Sequence, residues 1–400
     1  MDNSKKINTD RKDIEKVLSR YVENIYPSRD EVIEQMSSGK KLSFYWGTDP
    51  TGVDIHLGHT TNLLFLKNII SLGHEVIVLI GDFTAQIGDP TGKDSVRKVL
   101  SEEEVKENMK SYLDQIHKIL EKDSFKLEFN SKWLSKMNLR DIRDLMSNFT
   151  VQQMIIRDMF QERLKNQKPI YLHEFLYPIM QGYDSVAMDV DGEVGGNDQM
   201  FNMLVGRDLL KSLKNKDKIV ITTKLLEDPI SRKKIMNKSE GQYISLRDSS
   251  KDMFGKVMAM PDFAIIPMVE NVTQLEPGEV QKIKEDLESG INPKEIKIKL
   301  AQEIVRMYFG EDASRESKDE FDKIFSKKEL PDGIESLDMA GKNIVEVLVE
   351  SGISKSKSEA KRLVDQGGIH INDKQIEDWE YEAKPGDVVR AGPRKFLKIK

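Results

Sequence analysis

The sequence predicts an α/β fold: a doubly wound parallel sheet, then a small α-helical unit, then a small α+β unit at the C-terminal end. Three observations carry this reading. Between Lys41 and Ile80 a strand, a turn cluster, a helix and a second strand follow one another, the βαβ order of a parallel sheet. Beyond Met253 helical runs replace the strands as far as Phe325. From Gly341 to Lys400 the chain carries 12 basic and 10 acidic residues, while the first 340 residues sum to −8.

Each element has a local reason. Asp13 to Glu23 has helical spacing. Lys41 to Trp46 reads as a short strand ending at Gly47, and Thr48-Asp49-Pro50-Thr51-Gly52 is a turn cluster. Leu57 to Leu72 repeats apolar residues at helical intervals and stops at Gly73. Glu75 to Ile80 is nearly all apolar, as a parallel strand covered on both faces requires. Phe125 to Phe129, Ser185 to Val190 and Lys218 to Thr222 are further strand candidates. Gln281 to Glu288, Pro293 to Tyr308 and Ser317 to Phe325 read as helices, and Leu330-Pro331-Asp332-Gly333 begins a linker.

Composition excludes several function classes. With no cysteine among 400 residues, there is no disulfide framework, thiolate zinc site or cysteine nucleophile. A net charge of −6 provides no chain-wide basic field for nucleic acid. No apolar run approaches the ~18 residues of a membrane helix. Residues 1–16 mix lysines with acids and have no apolar stretch, which argues against a secretory or transit segment, so a cytoplasmic location is expected.

Five stretches are candidates to carry chemistry. His56-Leu57-Gly58-His59 holds two of the six histidines and lies where the first crossover helix begins. Free N–H groups and the helix dipole make that a phosphate-binding position. Gly58 lets a ligand approach the backbone closely, and the two imidazoles could donate to phosphoryl oxygens. A histidine pair ligating zinc and an ordinary packed histidine stay open at this point. Gly81 to Lys93 follows the second strand, beyond whose carboxyl end ligands bind in such sheets. It offers Asp89 for an ammonium group and Lys93, with Arg97 further on, for phosphates; the Walker spacing is absent. Tyr177, Gln181 and Asp184 fall at i, i+4 and i+7, one face of a helix. Val194-Gly195-Gly196-Asn197-Asp198-Gln199 is a glycine turn suited to a ribose or an α-amino acid, and Ser231 to Gly241 is a basic loop able to close over a triphosphate.

Together these stretches resemble the class I aminoacyl-tRNA synthetases, and most closely the bacterial-type tyrosyl-tRNA synthetases of the second subtype. His56 to His59 is similar to the family's HIGH motif, and Gly88 to Lys93, Tyr177 to Asp184 and Gly195 to Gln199 are similar to its pocket segments. Ser356 to Val364 and Gln366 to Asn372 resemble a small RNA-binding domain named after a ribosomal protein. One departure stands out: where the family has KMSKS, this chain has Ile235-Met236-Asn237-Lys238-Ser239, so the first lysine and first serine positions are changed while Lys238, the second lysine position, is kept.

The resemblance implies a Rossmann-like catalytic domain over residues 1–228, a KMSKS-like loop at 229–245 and an α-helical anticodon-binding domain at 246–330. A linker at 331–340 and an RNA-binding domain at 341–400 would follow. It implies activation of L-tyrosine with ATP to tyrosyl-adenylate and transfer to the terminal adenosine of tRNA(Tyr), without a covalent enzyme intermediate. Magnesium would arrive on ATP, with no tightly bound protein metal, and the enzyme would be a homodimer. His56, His59, Lys238, Lys93 and Arg97 would carry the chemistry. Tyr45, Asp89, Tyr177, Gln181, Asp184 and Gln199 would hold tyrosine, with Asp184 on its phenol. Gly47, Asp49, Thr51, Gly58, Gly196, Asp198, Met236, Lys238 and Ser239 would hold ATP, and Lys361, Arg362 and Arg394 would touch RNA. Phenylalanine would be refused because its missing hydroxyl leaves buried groups unpaired, a discrimination for which the tyrosine enzyme is itself the standard example. The rival readings are a tryptophanyl-tRNA synthetase, a non-catalytic RNA-binding paralogue and a metal-dependent hydrolase using His56 and His59.

Overall fold

The computed structural model describes residues 6–91, 100–236, 243–325, 335–372, 374–392 and 395–400. It divides into two compact units, one of residues 1–249 and 260–308, the other of residues 250–259 and 309–400. The stretch 246–330, expected as one helical domain, is therefore shared between them.

The first unit is built on a six-stranded sheet in the order β1-β6-β5-β2-β3-β4. These strands are β1 (Val22–Tyr26), β2 (Ser43–Thr48), β3 (Glu75–Ile80), β4 (Lys126–Phe129), β5 (Gly192–Gly196) and β6 (Ile219–Thr223). Five are parallel, and β1 joins β6 antiparallel at the edge. β3 lies between β2 and β4 with Val76, Val78, Leu79 and Ile80 all buried, which accounts for its apolar run. The helix Leu57–Ser71 connects β2 to β3 and buries Leu63, Leu64, Phe65, Leu66 and Ile69. It ends as expected at Gly73, whose φ of 89° closes the C-terminal turn.

Two expectations are corrected. Ser185 to Val190 is not a strand: the helix Leu176–Met188 runs through it and ends at left-handed Asp189. It packs on the helix Met200–Lys214, where a Cβ on Gly182 would stand 3.0 Å from Gly206 N. The strand follows at Gly192–Gly196, whose three glycines hide its β character. There glycine is needed, because a Cβ on Gly192 would meet the Phe44 ring at 2.5 Å. The N-terminal helix is likewise shorter than expected, Arg11–Ser19, and residues 22–23 enter β1 after Tyr21 at φ 64°.

In the second unit, the helices Ser250–Ala259 and Glu311–Phe325 pack together, with Phe254 and Phe321 ring centroids 5.4 Å apart. The C-terminal sheet has the order β7-β11-β10-β8-β9, formed by Glu335–Leu337, Lys395–Ile399, Val388–Ala391, Ile369–Ile371 and Lys374–Gln375 respectively. It packs with the helices Ile344–Glu350 and Lys357–Asp365 around Ile344, Leu348, Val364, Val389 and Leu397. Among the described residues no helix is long and apolar enough to cross a membrane.

Candidate active site

A cavity of about 770 Å³ opens in the first unit at the carboxyl ends of β2, β3 and β5, where an open α/β sheet receives its ligand. Its volume suits a ligand of the size of a nucleotide or larger. Fifteen of the residues singled out from sequence line it: Tyr45, Gly47, Asp49, Thr51, His56, Gly58, His59, Asp89, Tyr177, Gln181, Asp184, Gly196, Asp198, Gln199 and Met236. Lys93, Arg97, Lys238, Ser239 and Arg394 lie outside the described residues. Lys361 and Arg362 are exposed on the helix Lys357–Asp365 of the second unit.

His56 is the N-cap of the helix Leu57–Ser71. Its Nδ1 accepts the Gly58 N–H at 3.1 Å, and the His59 Nδ1 accepts the His56 N–H at 3.3 Å. Both Nδ1 atoms are therefore acceptors, and each neutral ring carries its proton on Nε2. The ring centroids are 3.9 Å apart. A Cβ at Gly58 would come within 2.9 Å of the His56 ring, so the glycine makes room for that cap. Among the described residues no group of three or more histidine, aspartate or glutamate side chains is arranged to hold a metal ion.

The KMSKS-like segment is anchored on both sides of residues 237–242. Upstream, Ile235 N–H donates to Leu226 O at 2.9 Å and Lys234 Nζ pairs with Asp198 Oδ2 at 2.7 Å. Downstream, Leu57 N–H donates to Ile244 O at 3.0 Å, and Tyr243 Oη and Ser245 Oγ donate to Asp54 at 2.8 and 2.9 Å. The described residues on either side of 237–242 thus lie beside Asp198, through Lys234, and beside the start of the histidine-bearing helix, through Ile244.

At another wall, Tyr177, Gln181 and Asp184 share one face of the helix Leu176–Met188, as their spacing requires. Tyr177 Oη donates to Asp49 Oδ2 at 2.8 Å, and Asp49 Oδ1 accepts from Thr84 Oγ1 at 2.8 Å. Gln199 Nε2 donates to Asp89 Oδ2 at 2.9 Å, while Thr91 Oγ1 donates to Asp89 Oδ1 at 2.6 Å. Asp184 is buried, accepts from Trp133 Nε1 at 2.7 Å and lies 3.3 Å from Asn130 Nδ2. Burial raises its pKa well above the usual carboxylate range, against the lowering effect of those two donors. Tyr45 is fully buried with its hydroxyl 3.0 Å from Ser185 Oγ, and burial drives its phenol pKa upward.

Several contributors escaped the sequence reading. Asn130 follows β4 directly, so the rule that ligands bind beyond strand ends could have found it. Glu193 is a charged residue inside a buried strand, a signal in itself. Arg157 gave no local sign; it donates to Thr91 Oγ1 at 2.5 Å, and burial lowers its pKa against the pull of Asp89.

Residues 36–326 match the family of class I tRNA synthetases for tryptophan and tyrosine, and residues 322–396 match a tyrosine–tRNA ligase C-terminal domain. The tyrosine–tRNA ligase of Carboxydothermus hydrogenoformans is 44% identical over 398 residues, covering 96% of each chain. That of Thermotoga maritima is 42% identical over 388 residues, again covering 96% of each. A C-terminally truncated mitochondrial tyrosyl-tRNA synthetase from Aspergillus nidulans shares the fold at a TM-score of 0.65 and 23% identity, over 79% of this chain and 94% of its own. The tyrosyl-tRNA synthetase of Archaeoglobus fulgidus, solved with L-tyrosine, superposes at 0.60 and 21% identity, over 77% of this chain and 99% of its own. With relatives this similar along nearly the whole chain, and with the cavity lined by the segments that carried the resemblance, this chain belongs to the tyrosyl-tRNA synthetase family of class I aminoacyl-tRNA synthetases.

Proposed function

We propose that this cavity joins L-tyrosine to ATP and that the enzyme then transfers the tyrosyl group to the terminal adenosine of tRNA(Tyr). The observation that carries this reading is the convergence of two unlike walls on one cavity. One is a helix N-terminus bearing two histidines; the other is a buried phenol–amide–carboxylate face.

In the first step a tyrosine carboxylate oxygen attacks the α-phosphorus of ATP, and the bond from that phosphorus to the bridging oxygen breaks, releasing pyrophosphate. The protein's work is positioning and charge stabilisation. His56 and His59 donate Nε2–H to phosphate oxygens, and Lys238, with Lys93 and Arg97, neutralises the departing pyrophosphate. Asp89, Tyr177 and Gln181 receive the substrate ammonium group, Gln199 braces Asp89, and Asp184 receives the phenol. Asp198 and Gly196 meet the ribose after Lys234 releases Asp198, with Gly47, Asp49, Thr51, Gly58, Met236 and Ser239 around the nucleotide. Magnesium arrives on the ATP phosphates as part of the substrate. In the second step a ribose hydroxyl of tRNA attacks the tyrosyl carbonyl and AMP leaves.

Residues 341–400 contact tRNA through Lys361, Arg362 and Arg394 as backbone partners, in the cytoplasm. A homodimer is part of this reading, and Leu139, Val151, Ile156 and Leu172, each at least 68% exposed, are apolar side chains that a partner would cover; sedimentation at micromolar concentration tests it. Tyrosine-dependent exchange of radiolabelled pyrophosphate into ATP, without tRNA, tests the central reading. Exchange with tyrosine but not tryptophan or phenylalanine is expected. Tryptophan-specific exchange would move the substrate, and no exchange would leave an RNA-binding paralogue.

A further inference from the structure

Lys218 is fully buried immediately before β6, and it is not among the residues lining the cavity. Its ammonium donates to Ser185 Oγ at 2.8 Å and forms an ion pair with Glu193, which does line the cavity. The fold makes space for it: a Cβ on Gly206 would stand 2.5 Å from Lys218 Nζ. Such a pair rarely stabilises a core better than apolar residues of the same volume. Its place in the hydrogen-bond network gives it another use.

The network has one direction. An ionised carboxylate only accepts, so Gln181 must turn its NH₂ to Glu193, where Nε2 lies 3.2 Å from Oε1. Gln181 Oε1 then accepts from Asn202 Nδ2 at 3.0 Å, and the same nitrogen donates to Gln199 Oε1 at 3.0 Å. Gln199 is left to donate to Asp89. A carbonyl oxygen has two lone pairs, and Asn202 takes one of those on Gln181. Without the Lys218 ammonium the Glu193 carboxylate would lose the partner that holds it against Gln181, and the Gln181 amide could then turn its NH₂ toward the substrate ammonium group.

We propose that Lys218 is a positioning residue for the substrate ammonium group: it holds Glu193 as a pure acceptor and thereby fixes the Gln181 carbonyl for that group. This rests on the reading of Gln181 as an ammonium contact given above.

Pyrophosphate exchange on the full-length K218M, E193D and E193Q/K218M variants tests it, with KM measured separately for tyrosine and ATP. K218M should raise KM for tyrosine about tenfold, the size of a lost hydrogen bond to a charged group, and leave KM for ATP within about twofold. E193D keeps both charges but withdraws the carboxylate, and should act the same way. E193Q/K218M should keep the loss although no charge is left unpaired, because a glutamine amide can donate as well as accept and no longer holds the Gln181 amide in one orientation. Wild-type tyrosine KM in K218M and E193D would overturn the proposal, as would a parallel rise in both KM values. Should K218M fail to fold, E193D decides. Absence of tyrosine-dependent exchange in the wild type would instead overturn the functional reading.

Discussion

Trp133 donates its indole N–H to Asp184 Oδ1 at 2.7 Å, so a carboxylate only 2% exposed is held in place by a ring from the segment after β4. A buried acceptor built for a hydroxyl is left unpaired when the hydroxyl is missing. Asp184→Ala should therefore bring the exchange efficiencies (kcat/KM) for tyrosine and phenylalanine together, chiefly through a loss of about 100-fold or more for tyrosine. Unchanged discrimination would remove Asp184 from the phenol site.

His56→Asn separates two roles of one side chain. Asparagine is a good N-cap, so the helix Leu57–Ser71 should keep its start and the melting temperature should stay near wild type. The Nε2 donor is lost, and kcat for exchange should fall by about 100-fold with KM for tyrosine unchanged. A large drop in melting temperature without that kinetic split would leave only the capping role.

Gly81 sits at the carboxyl end of β3, where a Cβ would fall 2.0 Å from Asp49 Oδ1 and 2.4 Å from Thr84 Oγ1. Gly81→Ala should break the Asp49–Thr84 contact and displace the Asp49 carboxylate that accepts from Tyr177. The expected outcome is a loss of stability of about 1–3 kcal/mol, with KM raised for both tyrosine and ATP. Wild-type kinetics would show that Asp49 is not held by this contact.

His74 is 4% exposed, and its Nε2 has no hydrogen-bond partner among the described residues. Burial lowers its pKa from the ordinary value near 6.5, against the pull of Asp191. The unfolded chain then takes up the proton first, so this contribution to stability is present above about pH 6.5 and is lost as pH falls toward the depressed folded value. His74→Gln lacks that contribution. The wild-type melting temperature relative to the variant should therefore fall between about pH 7.5 and 5.5; a pH-independent difference would contradict the burial argument.

The C-terminal residues pack around their own core, from Met339 to Ile399. Deleting residues 341–400 should leave tyrosine-dependent exchange intact, while tRNA binding and its salt dependence are lost. Filter binding across a salt series, beside the exchange assay, measures both; unchanged tRNA binding and charging would place the RNA contacts elsewhere.

Much of the site was legible because its signals are local. The histidines at the start of a crossover helix and the i, i+4, i+7 spacing of Tyr177, Gln181 and Asp184 depend only on helix geometry. The glycine-rich strand β5 was missed for the converse reason. Glycine carries no periodic pattern, and Ser185 to Val190 looked more strand-like than Gly192–Gly196 until helix packing at Gly182 and Gly206 settled it.

The sequence by itself determined the buried parallel strand β3, the crossover helix and the residue types of the cavity, because burial on both faces and amphipathic spacing are written in neighbouring residues. Only the tertiary structure decided that Tyr177 would meet Asp49 across 128 positions, that Asn130 and Trp133 would hold Asp184, and that Lys218 would stand behind Glu193. The physical reason is the parallel sheet: its crossovers bring the carboxyl ends of strands far apart in sequence to one edge. A polar side chain buried there must take as its partner whatever group the topology brings within hydrogen-bond reach.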